Sequence, residues 1–104
     1  MEIRSTVILT LHSPREKVWG ELVALTAAGI TVQGVDLNAF EEVLRQITSG
    51  ESGPGVLSMV FYPMHRVERM SVDETEGEIP SLASRFEQKV GMPLPQFLRA
   101  GRDL

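Results

Sequence analysis

The hydrophobic residues of this chain follow two different spacings, one typical of strands and the other of helices. Between residues 6 and 35, short runs rich in β-branched residues are separated by Pro14 and Gly29, which indicates three successive strands. Residues 56–62 and 65–73 have a similar composition and predict two more strands. In the intervening and following segments, apolar residues recur every three or four positions, as on one face of an amphipathic helix.

These spacings predict one domain over residues 1–104, with a mainly β fold that carries helices (α+β). The predicted strands cover about residues 4–12, 17–26, 29–35, 56–62 and 65–73, the helices about 38–48 and 80–90, and a short apolar turn 93–99. Gly20 lies in the middle of the second strand, which is apolar on both faces, so we expect this strand to bend around a small core. The expected architecture is a small, five-stranded, strongly bent antiparallel barrel, with a helix inserted between strands 3 and 4 and a C-terminal helix.

Two local patterns predict details of this fold. Val67 and Met70 would point to opposite faces of a regular strand, so we expect a helical twist or a bulge at Glu68–Arg69 that brings both to one face. Asn38 followed by Glu41 fits a capping box, which predicts that the inserted helix begins at Asn38.

Composition and charge narrow the class of protein. The chain of 104 residues has no cysteine, which excludes disulfides, thiolate metal sites and a cysteine nucleophile. The formal net charge of −4 disfavours RNA as a partner, because phosphate binding requires a surplus of basic residues. No apolar run is long enough to span a membrane, and the first residues lack the apolar block of a signal peptide. We therefore expect a cytoplasmic protein without a membrane partner.

Two stretches of the chain resemble the Sm-like family of small β-barrels. Residues 18–32 resemble the first half of such a barrel, in which a glycine in a strongly bent second strand precedes a hairpin and a third strand. Residues 59–70 resemble the second half, and Tyr62 and His65 would stand near the Tyr and His of the Tyr-Lys-His turn in the bacterial Sm-like RNA chaperone. The likeness implies a barrel whose copies pair strand 4 with strand 5 of a neighbour to form a ring. The family's uridine-binding Asn and Arg-Gly elements have no counterpart here, so the likeness concerns the barrel and not the RNA site.

The densest polar cluster follows the fourth predicted strand. Tyr62, His65, Arg66 and Arg69 could form a rim that binds a small anion or a nucleotide, with the arginines as donors and the rings as stacking surfaces. The alternative is a solvated edge strand whose charges discourage pairing with another sheet.

Large apolar side chains outside the predicted strands suggest a protein-interaction surface. The two helical segments and the last apolar turn carry more apolar surface than a five-stranded barrel can cover, so we expect one helix to pack on the barrel and the other to contact a partner. The candidate interaction residues are Trp19, Phe40, Leu44, Phe86 and Phe97.

No combination of residues indicates a reaction. The two histidines and the serines show no spacing typical of a catalytic triad or a metal site, so we expect neither an enzyme nor a cofactor. The sequence therefore predicts a non-catalytic oligomeric scaffold or adaptor of Sm-like shape that contacts another copy or another protein. The alternatives are an RNA- or small-anion-binding barrel that uses the Tyr62–Arg69 rim, and a PilZ-like or SH3-like regulatory module.

Overall fold

Alternating side chains in the first strands give the sheet two apolar faces. The computed structural model describes residues 1–102. Its strands are β1 (Thr6–Leu11), β2 (Glu16–Leu25), β3 (Gly29–Asp36), β4 (Ser58–Pro63) and β5 (Val67–Val72), and its α-helices are α1 (Phe40–Thr48), α2 (Leu82–Val90) and α3 (Leu94–Arg102). The strands form one antiparallel sheet in the order β4-β3-β2-β1-β5. The predicted α+β fold, with a helix inserted between β3 and β4, is confirmed.

The sheet bends but does not close. β4 pairs with β3 and β5 pairs with β1, and the described residues form no ladder between β4 and β5. The expected barrel is therefore an open sheet with two free edges. Each edge leaves a row of backbone donors and acceptors without a partner strand.

The concave face of the sheet holds the inner core. Residues of β1, β2 and β3 that point to this face are almost fully buried: Val7, Leu9, Leu11, Val18, Leu22, Ile30 and Val32. Val67 and Met70 both pack against this core, as predicted. Their spacing is accommodated by a bulge, because Thr10 pairs with Arg69 and Leu11 pairs with Val67, which leaves Glu68 as the extra residue.

Two glycines allow β2 and β3 to approach closely where the sheet bends. Gly20 and Gly34 are paired directly across the two strands. A Cβ atom on Gly34 would lie 2.7 Å from the Cα of Gly20 and would also overlap the carbonyl of Trp19. Side chains at these positions would push the strands apart, which explains why both positions are occupied by glycine.

The opposite face of the sheet is covered by all three helices. Their buried side chains surround Trp19 in an outer core that consists of Trp19, Phe40, Val43, Leu44, Leu57, Phe86, Leu94, Phe97 and Leu98. The indole of Trp19 stacks on the Phe40 ring, with centroids 4.9 Å apart and planes at 7°. The ring centroid of Phe86 lies 5.8 Å from that of Trp19 and 5.4 Å from that of Phe97, so a chain of aromatic contacts joins the sheet to α1, α2 and α3.

Two predicted helix features are wrong. The segment expected to form a short apolar turn is the nine-residue helix α3, which begins at Leu94 and has Pro95 as its second residue, where a missing N–H costs no helical hydrogen bond. The predicted capping box is absent: Asn38 lies in a 3₁₀ turn, where its backbone N–H donates to the Asp36 carboxylate at 2.8 Å. Ala39 precedes α1 without a side-chain cap. No helix in residues 1–102 is long and apolar enough to cross a bilayer.

Candidate functional site

Arg66 connects the turn before β5 to the hairpin between β1 and β2. Its guanidinium donates to the Glu16 carboxylate at 2.6 Å and to the backbone carbonyls of Pro14 and His12 at 2.9 and 3.3 Å. The backbone N–H of His12 in turn donates to the Arg66 carbonyl at 2.9 Å. Three donor positions of Arg66 are thereby occupied within the chain. Arg66 holds the fold together at this corner and has little capacity to bind an external anion.

Tyr62 lies beside this ion pair and is half-buried against the inner core. Burial raises the pKa of the Tyr62 phenol above its usual value, and the carboxylate of Glu16 raises it further, whereas Arg66 lowers it. The neutral phenol is therefore favoured in this position. A ring that contributes to the core offers only one edge to a ligand.

The other two residues of the predicted rim are separated from Tyr62 and Arg66. His65 is exposed and makes no side-chain hydrogen bond or ion pair within residues 1–102. Arg69 pairs with Thr10 in the ladder between β5 and β1, directly after the bulged residue Glu68. The four residues therefore do not form one rim: Tyr62 lies near the ion pair of Arg66 with Glu16, and Arg69 lines a different part of the surface.

The predicted interaction surface is also wrong, because its side chains form the outer core. Trp19, Phe40, Leu44, Phe86 and Phe97 are each at most 7% exposed. The sequence shows two apolar helical stripes but not that both meet the same tryptophan. Once α1 and α2 pack together on the sheet, neither presents an apolar face to a partner.

Asp73 fastens α2 to this core. One carboxylate oxygen accepts from the Trp19 indole N–H at 2.9 Å and from the Ala83 backbone N–H at 2.8 Å, and the other accepts from the Leu82 N–H at 3.0 Å. Asp73 is the first of the acidic residues in the segment between β5 and α2. Its distance of nine residues from α2 hides its role as a cap.

An apolar strand edge is the first surface that the sequence did not indicate. Met59, Val60 and Phe61 in β4 are 54%, 38% and 52% exposed. Their nearly continuous apolar character predicts a central strand, but β4 lies at the end of the sheet. The apolar composition of β4 is visible in the sequence, but whether the strand is central or at an edge depends on the strand order.

A basic depression on the outer face is the second such surface. It has a volume of about 300 Å³ and is lined by Ile8, Thr10, Arg15, Lys17, Glu68, Arg69 and Ser71. The three basic residues come from β5, from the start of β2 and from the turn before β2, more than 50 positions from β5, and only the strand register brings them together.

A larger cleft of about 340 Å³ lies between β2 and α3, lined by Arg4, Glu21, Pro95 and Arg99. The buried Glu21 carboxylate accepts from Arg4 at 2.7 Å. The ion pair within this cleft therefore links the N-terminal segment to β2.

Comparisons with known proteins give no further guide to the site. No family model matches the chain, and no curated protein or solved structure shows significant similarity to it. No group of three or more His, Asp or Glu side chains in the described part of the chain is arranged to hold a metal ion. The β4 edge and the basic depression are thus the two exposed surfaces that suggest a function.

Proposed function

We propose that this protein is a non-catalytic oligomeric scaffold whose copies associate through the free edge of β4. The single observation that supports this proposal is the exposed, apolar and uncharged character of that edge. The helices, which the sequence suggested for this role, are occupied by the outer core.

β4 has few of the features that keep edge strands from pairing, since Pro63, which lacks a backbone donor, stands only at its last position. Natural edge strands are usually protected by charged side chains, bulges or a covering segment. Residues Ser58 to Tyr62 include no charge, and the ladder from β4 to β3 runs without a bulge over Gly29–Gly34. Because side chains of consecutive strand residues point to opposite faces, the exposure of Met59, Val60 and Phe61 means that both faces of β4 are open to solvent. Such an edge favours the addition of another strand.

The strand that fits this edge best is β4 of a second copy. The opposite edge of the sheet, β5, contains a bulge and the charged residues Glu68 and Arg69, and both features oppose regular pairing. Antiparallel pairing of two β4 strands is self-complementary and produces a closed two-fold dimer. Pairing of β4 with β5 of a neighbour, as the Sm-like resemblance implies, would instead produce a ring or a filament.

Light scattering after size-exclusion chromatography tests the proposal. The wild-type chain should have twice the 11.5 kDa mass of one chain, with the proportion of dimer rising with concentration. Met59→Lys should shift the protein to a single-chain mass, because a lysine on the edge carries its charge into the pairing surface. Ile79→Lys is the matched control: it introduces the same charge at an apolar residue that is 72% exposed but lies outside the sheet, and it should remain dimeric.

Three results would count against the proposal. A wild-type mass of one chain throughout the concentration range would refute self-association. Equal dissociation of the Met59→Lys and Ile79→Lys variants would show that β4 is not the contact. A larger mass that Met59→Lys abolishes would retain β4 as the contact but replace the two-fold pairing with β4–β5 pairing. Circular dichroism of each variant should match that of the wild type, since both positions are exposed.

A further inference from the structure

Two cationic side chains flank Thr10 on the outer face of the sheet. Thr10 pairs with Lys17 on β2 and with Arg69 on β5. Residues paired across antiparallel strands stand on the same face, and neighbouring strands lie about 4.8 Å apart, so the stems of Lys17 and Arg69 are separated by roughly 10 Å. Arg15, from the turn before β2, lines the same depression.

This depression lies next to the part of the outer face that the helices cover. Ile8 and Trp19 precede it on the same face, and both belong to the outer core or pack against it. One step further along the strands, Thr10 and Lys17 mark the point where helical cover stops. Thr10 itself is 6% exposed, so it forms the floor of the depression, and the exposed side chains of Arg15, Lys17 and Arg69 form its walls.

The three cations have no internal partner. Within the part of the chain that the structure describes, Arg15, Lys17 and Arg69 make no ion pair and no side-chain hydrogen bond. Other arginines are neutralised: Arg4, Arg45, Arg66 and Arg85 each pair with a glutamate. The depression contains one acidic residue, Glu68, so its formal charge is +3 − 1 = +2 in a chain whose net charge is −4. Like charges held together at an exposed surface repel each other, and an anion between them removes that repulsion.

We propose that this depression binds the phosphate group of a small phosphorylated ligand. A phosphate monoester carries about −1.5 to −2 charges at neutral pH, which matches the charge of the depression. Arginine can donate two parallel hydrogen bonds to phosphate, lysine supplies a point charge, and the hydroxyls of Thr10 and Ser71 are further donors. The volume of about 300 Å³ suits a small ligand and is at the lower limit of typical ligand pockets.

A second depression provides space for the rest of the ligand. It has a volume of about 280 Å³ and shares Arg15 and Lys17 with the first, and Glu16, Leu37 and Asn38 complete its lining. A ligand whose phosphate lies between Lys17 and Arg69 could therefore extend past Arg15 and place an apolar or amide-binding group against Leu37 and Asn38. A nucleic-acid backbone would need a longer row of cations than these three residues provide. This site shares no lining residue with β4, so its test does not depend on the proposed dimer.

NMR titration of the wild-type chain tests the site directly. Inorganic phosphate and ribose 5-phosphate are added at constant ionic strength, with ribose alone to show what the sugar contributes. We expect saturable shifts at the amides of Thr10, Lys17, Arg69 and Ser71, with tighter binding of ribose 5-phosphate if the second depression takes part. Equal affinities for the two would limit the site to the phosphate itself.

Three variants determine whether these residues form the site. Arg69→Gln and Lys17→Gln should each weaken binding about tenfold or more, as expected for the loss of a hydrogen bond from a charged group. Lys89→Gln, an exposed lysine on α2, is the matched control and should bind like the wild type. Glu68→Gln should bind several-fold more tightly, because it removes the only negative charge from the depression. A misfolded variant could not produce that gain.

Several results would overturn the proposal. These are the absence of saturable binding up to about 10 mM phosphate, shifts that map elsewhere, or equal weakening in Lys89→Gln and Arg69→Gln. Binding of oligo(U) with a steep salt dependence, together with no response to ribose 5-phosphate, would replace the small ligand with a polyanion.

Discussion

Replacing Asp73 with alanine should destabilise the whole helical layer, because one carboxylate serves three donors. Asp73 accepts from the Trp19 indole and from the backbone N–H groups of Leu82 and Ala83 at distances of 2.8–3.0 Å. The substitution leaves the indole N–H without a partner in a side chain that is 1% exposed. It also removes the anion that lies at the N-terminus of α2, where the helix dipole favours negative charge.

The expected loss follows from these groups. A buried donor without a partner costs about 1–3 kcal/mol, and the loss of an N-terminal cap costs about 0.5–2 kcal/mol. Ser81 still caps α2 through its hydroxyl, which accepts from the Ser84 N–H at 3.0 Å, so the second cost should be at the lower end. We expect a total of about 3 kcal/mol, which is a large part of the 5–15 kcal/mol typical of a domain. The melting temperature should fall by roughly 15 °C.

Urea unfolding followed by tryptophan fluorescence measures this loss at the relevant place. Trp19 is the only tryptophan, so the signal comes from the outer core itself. Glu74→Ala is the matched control, because Glu74 is an adjacent exposed acidic residue, and it should change the free energy of unfolding by less than about 0.5 kcal/mol. A double-mutant cycle with Trp19→Phe, in which all four proteins are followed by circular dichroism because that variant has no tryptophan, should give a coupling energy of about 1 kcal/mol or more. If Asp73→Ala were as stable as Glu74→Ala, or if the cycle gave no coupling, the assigned role of Asp73 would be wrong.

Two further predictions concern the sheet. Gly34→Ala should destabilise the fold by about 2 kcal/mol or more in thermal unfolding, because its Cβ overlaps the backbone of β2. Gly55→Ala is the control and should have little effect, because the added Cβ meets no atom within 4 Å. Equal stability of the two variants would contradict the close approach of β2 and β3. The ultraviolet absorbance of Tyr62, the only tyrosine, should titrate above pH 10, because burial raises its pKa. The folded state then retains a proton that the unfolded state loses. The contribution of Tyr62 to the free energy of unfolding should therefore be fully present below pH 10 and decrease as the pH rises from there towards the folded pKa. Tyr62→Phe should lack that decline, and a normal titration would refute the burial.

The local structure of the sheet was predictable because it depends on neighbouring residues. Strand and helix positions follow from periods of two and of three to four, and the bulge follows from the spacing of Val67 and Met70. The wrong predictions also have local causes. The helical segment begins after Asp36 and not at Asn38, because the Asp36 side chain accepts a hydrogen bond from the Asn38 N–H. In α3, Pro95 looks like a helix breaker but occupies the first turn, where proline is tolerated.

The site was less predictable because its residues meet only through strand order and register. Arg66 and Arg69 are three positions apart, yet the bulge between them places one beside Glu16 and the other across Thr10 from Lys17. Neither neighbour can be identified from the sequence cluster. A hydrophobic stripe likewise shows that a helix has a partner but not which one. Phe40 and Phe86 both contact Trp19, and one aromatic residue thus removes both stripes from the surface.

Cover on both faces of the sheet limits where this chain can interact. The bend that starts at Gly20 and Gly34 encloses the inner core, and the three helices enclose the outer core. A sheet with one open apolar face could bind a partner broadly across that face. This sheet can do so only at its edges and at the uncovered end of its outer face. None of the exposed apolar residues of β4 lines the basic depression near Thr10, whose lining comes from β1, β2, β5 and the turn before β2. Self-association and anion binding therefore rest on different side chains and can be tested separately by Met59→Lys and Arg69→Gln.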